Sequence, residues 1–88
     1  MNAEQRELYR IALLRVLDAN TTTYGLRAAV VAIHAQPFGF KSTPEQAAQE
    51  LVYLKDKGFA DTNLKAISPE NQTWRITAAG RDWLATNG

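Results

Sequence analysis

The stretch Thr43-Pro44-Glu45-Gln46-Ala47-Ala48-Gln49-Glu50-Leu51-Val52-Tyr53-Leu54-Lys55-Asp56-Lys57-Gly58-Phe59 reads as a capped helix that runs straight into a strand. Thr43 is placed to accept from a free first-turn N–H, Pro44 suits the first helical position, and Gln46 has the capping-box spacing. At about 100° per residue, Ala47, Leu51 and Leu54 share one face, with Ala48 and the stem of Lys55 beside it. Gly58 follows where the helix should stop. The opposite face carries Glu45, Gln49, Val52 and Asp56, flanked by Gln46 and Tyr53, and what that face touches is the functional question.

Working outward, the whole chain of 88 residues is long enough for one domain over 1–88 and too short for two. A domain this size buries on the order of 60–65% of its unfolded surface, so one modest core is expected. Cysteine is absent, which removes disulfides and thiolate metal ligands and fits a reducing cytoplasm. Arg10 and Arg15 interrupt the only long apolar run, Ile11 to Leu17, so neither a signal peptide nor a membrane span is expected. The net charge of +1 speaks against a basic nucleic-acid tail or an electrostatic membrane anchor, and any nucleic-acid footprint must be local.

Upstream, Ala3 to Asp18 reads as a first helix with Tyr9, Leu13, Val16 and Leu17 inward and Leu8 and Ala12 at the edge of that stripe. Ile11 and Leu14 fall on another side. Either a later segment such as the C-terminal helix covers them, or they form a self-association surface for a homodimer. Asn20-Thr21-Thr22-Thr23 favours caps and turns. A second helix is expected from about Tyr24 to Ala35, with Leu26, Ala29, Val30 and Ile33 inward. His34 stands alone among histidines and reads as a surface or partly buried residue, not a ligand or base. In the connection from Gln36 to Ser42, Phe38 and Phe40 are expected to fold back on the core.

Downstream, Phe59 to Ile67 and Thr73 to Thr77 read as two strands, with Trp74 and Ile76 on one face and Thr73, Arg75 and Thr77 on the other. Ser68-Pro69-Glu70-Asn71 supplies turn chemistry between them. Thr77 then caps a short last helix, in which Gly80 allows close approach of a neighbour. The expected fold is α+β, mostly α with a small β-hairpin.

Two segments carry a resemblance to a known superfamily. Leu51-Val52-Tyr53-Leu54-Lys55-Asp56-Lys57-Gly58-Phe59 is similar to the leucine-rich end of a recognition helix with its glycine and apolar exit. Trp74-Arg75-Ile76-Thr77-Ala78-Ala79-Gly80-Arg81-Asp82-Trp83-Leu84 is similar to a second wing strand entering a Thr-x-x-Gly helix start. Together they resemble the winged helix-turn-helix superfamily, across nearly the whole chain: three helices, a two-stranded wing and a C-terminal helix. The resemblance implies double-stranded DNA as partner, two-fold dimers on paired half-sites, and the helix from Thr43 to Lys57 in the major groove. Under that implication Arg27, Lys41, Thr43, Lys65 and Arg75 are the phosphate candidates, and Gln46, Gln49 and Tyr53 the base-reading candidates. A small bacterial or phage transcriptional regulator is the matching role.

Against this stand Glu45 and Asp56 on the outward face and Glu50 beside Gln46, since carboxylates near phosphates are unfavourable. The alternative is a winged-helix protein interaction module without nucleic acid, using Val31, Val52, Tyr53, Ile11 and Leu14. An enzyme is not expected. The chain offers one histidine and no cysteine nucleophile, and neither a glycine-rich phosphate loop nor a paired-acid spacing. No cofactor, metal or small-molecule ligand is called for.

Overall fold

The computed structural model describes residues 2–21, 24–63 and 72–88. Their elements run α1 (Ala3–Ala19), β1 (Leu26–Arg27), α2 (Ala28–Ala35), a 3₁₀ turn (Gln36–Phe38), α3 (Pro44–Asp56), β2 (Ala60–Thr62), β3 (Thr73–Ile76) and α4 (Ala78–Asn87). The strands form an antiparallel sheet in the order β1-β3-β2, with Leu26 opposite Trp74, Arg27 opposite Thr73, and Asp61 opposite Arg75. The class is α+β as expected, but the sheet has three described strands where two were expected. The turn Ser68–Asn71 and the expected strand beyond Asn63 lie outside the described residues.

The core gathers Tyr9, Leu13, Leu14, Val16 and Leu17 of α1 with Val31, Leu51, Leu54, Trp74 and Ile76. Helix α1 packs on α2, α3, β3 and α4 at once, which explains why it is apolar on more than one side. Leu14 is therefore fully buried within the chain and is withdrawn as a self-association residue, while Ile11 is half-buried.

Helix α2 corrects the sequence reading twice. Its helical turns begin at Ala28 because Leu26 and Arg27 pair with β3. Its buried residues are Val31, Ala32 and Ala35, whereas Ala29 and Ile33 face solvent, Ile33 at 60% exposure. The segment is apolar nearly all round, so periodicity alone does not choose its inner face. Val31, once buried, is also lost as a contact residue for the interaction module.

The expectations for α3 are met in detail. Thr43 Oγ1 accepts from the Gln46 N–H at 3.1 Å, and Gln46 Oε1 accepts from the Thr43 N–H at 3.0 Å. At the other end Gly58, with φ of 83°, ends the helix: its N–H donates to the Lys55 carbonyl and that of Phe59 to the Leu54 carbonyl, both at 2.9 Å. This is a Schellman arrangement, which needs the left-handed residue that glycine supplies without strain.

The exit of α3 is tied to the entry of α4 through Thr77. Its hydroxyl donates to the Gly58 carbonyl at 2.6 Å and accepts from the Gly80 N–H at 3.0 Å, while its own N–H donates to the Phe59 carbonyl at 3.1 Å. A Cβ at Gly80 would run into the Phe59 carbonyl oxygen, so the close approach read from the sequence is real. Phe59 and Trp83 stack beside this junction with centroids 5.4 Å apart.

Candidate nucleic-acid interface

Leu51 and Leu54, both buried, seat α3 on the rest of the molecule and turn Gln49, Val52 and Tyr53 outward, Val52 at 48% exposure. The three base-reading candidates are not equivalent. Gln49 is exposed. The side-chain carbonyl of Gln46 is committed to the helix cap, which limits bidentate contact with a base edge. Tyr53 has the Arg10 guanidinium 3.6 Å from its ring centroid and the Lys57 ammonium at 5.6 Å, so two cations lie within reach of its ring.

The start of α3 offers fewer donors to an anion than its position suggests. Pro44 has no N–H, and the N–H groups of Thr43, Gln46 and Ala47 donate within the cap and first turn. Among the first-turn amides that leaves Glu45. Thr43 is accordingly a capping residue, which weakens it as a phosphate candidate, while Lys41 two residues earlier is exposed.

Arg10 and Glu50, forty positions apart in the sequence, meet as a pair between α1 and α3. Arg10 Nε donates to Glu50 Oε2 at 2.5 Å and its Nη1 to Glu7 at 2.6 Å, and Arg6 lies 3.4 Å from the other Glu50 oxygen. Both side chains of the Arg10–Glu50 pair are largely buried, at 14% and 15% exposure. Desolvation pulls the Arg10 pKa down, but the hydrogen bond and charge of Glu50, with smaller help from Glu7 and Tyr53, outweigh it and hold the group above its ordinary value. Beneath the pair, the Tyr9 hydroxyl and Ser42 Oγ lie 2.6 Å apart. Burial pushes the Tyr9 phenol up, opposed by the Ser42 hydrogen bond and reinforced by the nearby Glu50 charge. No periodicity connects residues so distant in the chain, so the sequence carried no signal for this cluster. Its effect is to neutralise one of the three carboxylates that argued against DNA; Glu45 and Asp56 remain exposed on α3.

The remaining phosphate candidates divide by element. Arg27 and Arg75 are exposed on the outer face of the sheet, with Arg27 across from Thr73 and Arg75 across from Asp61. Asp61 thus places an acidic residue directly across from Arg75 on the face that phosphate would approach. Lys65 lies outside the described residues. Around Arg75 an open polar recess of about 430 Å³ is lined by Tyr24, Asp61, Asn63 and Thr73.

No family model, curated protein or solved structure matches this chain. Among the described residues, His34 is exposed and no group of His, Asp and Glu side chains is arranged to hold a metal ion. No described helix is long and apolar enough to cross a membrane.

Proposed function

We propose that the chain is a winged helix-turn-helix protein that binds double-stranded DNA through α3, as a small bacterial or phage regulator would. The observation that carries this reading is the placement of α3: a helix capped at both ends, seated by Leu51 and Leu54, with Gln49 free on its outward face. Exposed Lys41 at its approach and Arg27 and Arg75 on the sheet supply cations to either side. The order of helices and strands is consistent with the resemblance, with β1 as an added strand that ties the start of α2 to β3.

With Arg27, Lys41, Lys65 and Arg75 as contacts, few phosphates are neutralised, and the log–log dependence of affinity on salt is expected near about −3 to −4 per protomer. Fluorescence anisotropy with random duplex DNA at low salt tests this. Binding with a shallow slope is the expected result. Absence of binding under those conditions overturns the reading.

The second reading is a protein interaction module, and one observation favours it specifically. Val52 and Tyr53 are exposed on the same helix face as Glu45 and Asp56, a mixture better suited to a protein surface than to a phosphate backbone.

A further inference from the structure

Helix α1 carries a second stripe that the core leaves uncovered. Glu4, Leu8, Ile11 and Arg15 fall within about 60° of one another around the helix and span about 16 Å along it. Leu8 is 51% exposed, Ile11 is half-buried, and Glu4 and Arg15 are exposed. Leu8, Ile11 and Arg15, with Phe38 and Phe40, border an open, largely apolar groove of about 380 Å³. Phe38 is 49% exposed, whereas Phe40 leans on Tyr9 with ring centroids 5.3 Å apart. Within one chain Glu4 forms no ion pair among the described residues, and Arg15 donates to the Gly88 carbonyl instead of to a carboxylate side chain.

The order of residues in this stripe is symmetric about the level between Tyr9 and Arg10. An antiparallel copy of α1 laid along it by a two-fold axis at that level sets Glu4 against the partner's Arg15, Leu8 against the partner's Ile11, and the same pairs again with the roles exchanged. A parallel copy would oppose Glu4 to Glu4 and Arg15 to Arg15. We infer that the α1 stripe Glu4-Leu8-Ile11-Arg15 is an isologous interface at which two copies of this chain pair through antiparallel α1 helices, with Phe38 bordering the seam. Charge complementarity at both ends of an apolar centre selects a second copy as the occupant and fixes its direction. The inference goes beyond the DNA reading and does not depend on it. The patch is small, at the low end of specific interfaces under about 1,200 Å² in total, so dissociation constants on the order of micromolar are expected.

Sedimentation equilibrium of the full chain up to millimolar concentration provides the test. The parent is expected to form dimers, and Leu8→Glu to remain monomeric while its circular dichroism melt stays that of a folded domain. Glu4→Arg alone places like charges at both ends of the seam, as does Arg15→Glu alone, and each should weaken dimerisation by about tenfold or more. An equimolar mixture of the two single variants restores opposite charges at both ends and should recover the parent affinity as a heterodimer. A parent that stays monomeric overturns the inference, as does a mixture that associates no better than its components or a Leu8→Glu variant that dimerises like the parent.

Discussion

Helices α2 and α3 both pack on α1 and on each other, yet they are held in different ways. Helix α3 is fixed by bonds that can be named: the Thr43–Gln46 box at its start, the Gly58 and Phe59 amides at its end, and Glu50 reaching across to Arg10. Helix α2 has no side-chain cap at Arg27, and at its other end it passes directly into the 3₁₀ turn. Its position comes from β1, which joins it to the sheet, and from Val31, Ala32 and Ala35 in the core. A helix with its own end-signals carries its limits in its sequence, whereas one without them takes its limits and its inner face from its neighbours.

Core truncation gives the largest expected contrast. Leu51→Ala should cost about 2–5 kcal/mol, and Ile33→Ala, at a solvent-facing site, should stay within about 0.5 kcal/mol of the parent. Denaturant melts read both. An Ile33→Ala variant as unstable as Leu51→Ala would mean that α2 is turned the other way.

The polar tie between α1 and α3 comes next. Glu50→Gln leaves the largely buried Arg10 side chain with only the exposed Glu7 carboxylate and should cost about 1–3 kcal/mol. Arg6→Ala removes a half-exposed ion pair and should cost no more than about 1 kcal/mol. Equal losses in thermal melts would show that the contact with Arg6, and not the one with Arg10, carries the worth of the Glu50 carboxylate.

At the helix starts the contrast is smaller. Thr43→Ala should lose about 1 kcal/mol, whereas Arg27→Ala has no cap bond to lose and should stay within about 0.5 kcal/mol. If DNA is the partner, Arg27→Ala should still weaken binding to every sequence and flatten the salt slope by about one unit, while Gln49→Ala should cost about 1–3 kcal/mol only at a preferred base. Stability and affinity would then separate at one residue.

The smallest effect is alkaline. The Tyr9 phenol, bonded to Ser42 just ahead of α3, has a folded pKa above its unfolded value near about 10. Its contribution is fully present below that pH and is lost as pH rises from the unfolded through the folded pKa, because the unfolded chain releases the proton first. Tyr9→Phe should therefore show a flatter alkaline limb in melts across that range, whatever it loses in absolute stability. A limb identical to the parent's would remove Tyr9 as its source.

The same contrast explains what could be read from the sequence. The caps and the 3.6-residue stripe of α3 are local chemistry, as is the alternation of Trp74 and Ile76 with Thr73 and Arg75, and both gave correct faces. The inner face of α2 was not legible because Ala28–Ala35 offers apolar side chains on nearly every side, and the two-residue strand that sets its start has no recognisable pattern of its own. Leu14 lay off the main stripe, which left both burial and self-association open, because a helix packed on four elements at once has no single stripe. In the candidate interface, Gln46 was legible both as a cap and as a base reader, and it was geometry that allotted its carbonyl to the cap. The Arg10–Glu50 contact lay beyond any reading of spacing.

Thr77 has one more consequence. By bonding to Gly58 and Phe59 it brings the two ends of the intervening segment to the same point, so β2 leaves and β3 returns through a closed neck. A segment gated in this way can change length without moving the helices that flank it. Lengthening the connection between Thr62 and Thr73 should be cheap, since closure entropy rises by only about 0.6 kcal/mol for each doubling of the length enclosed. The neck makes this connection the natural place in the chain to accept an insertion.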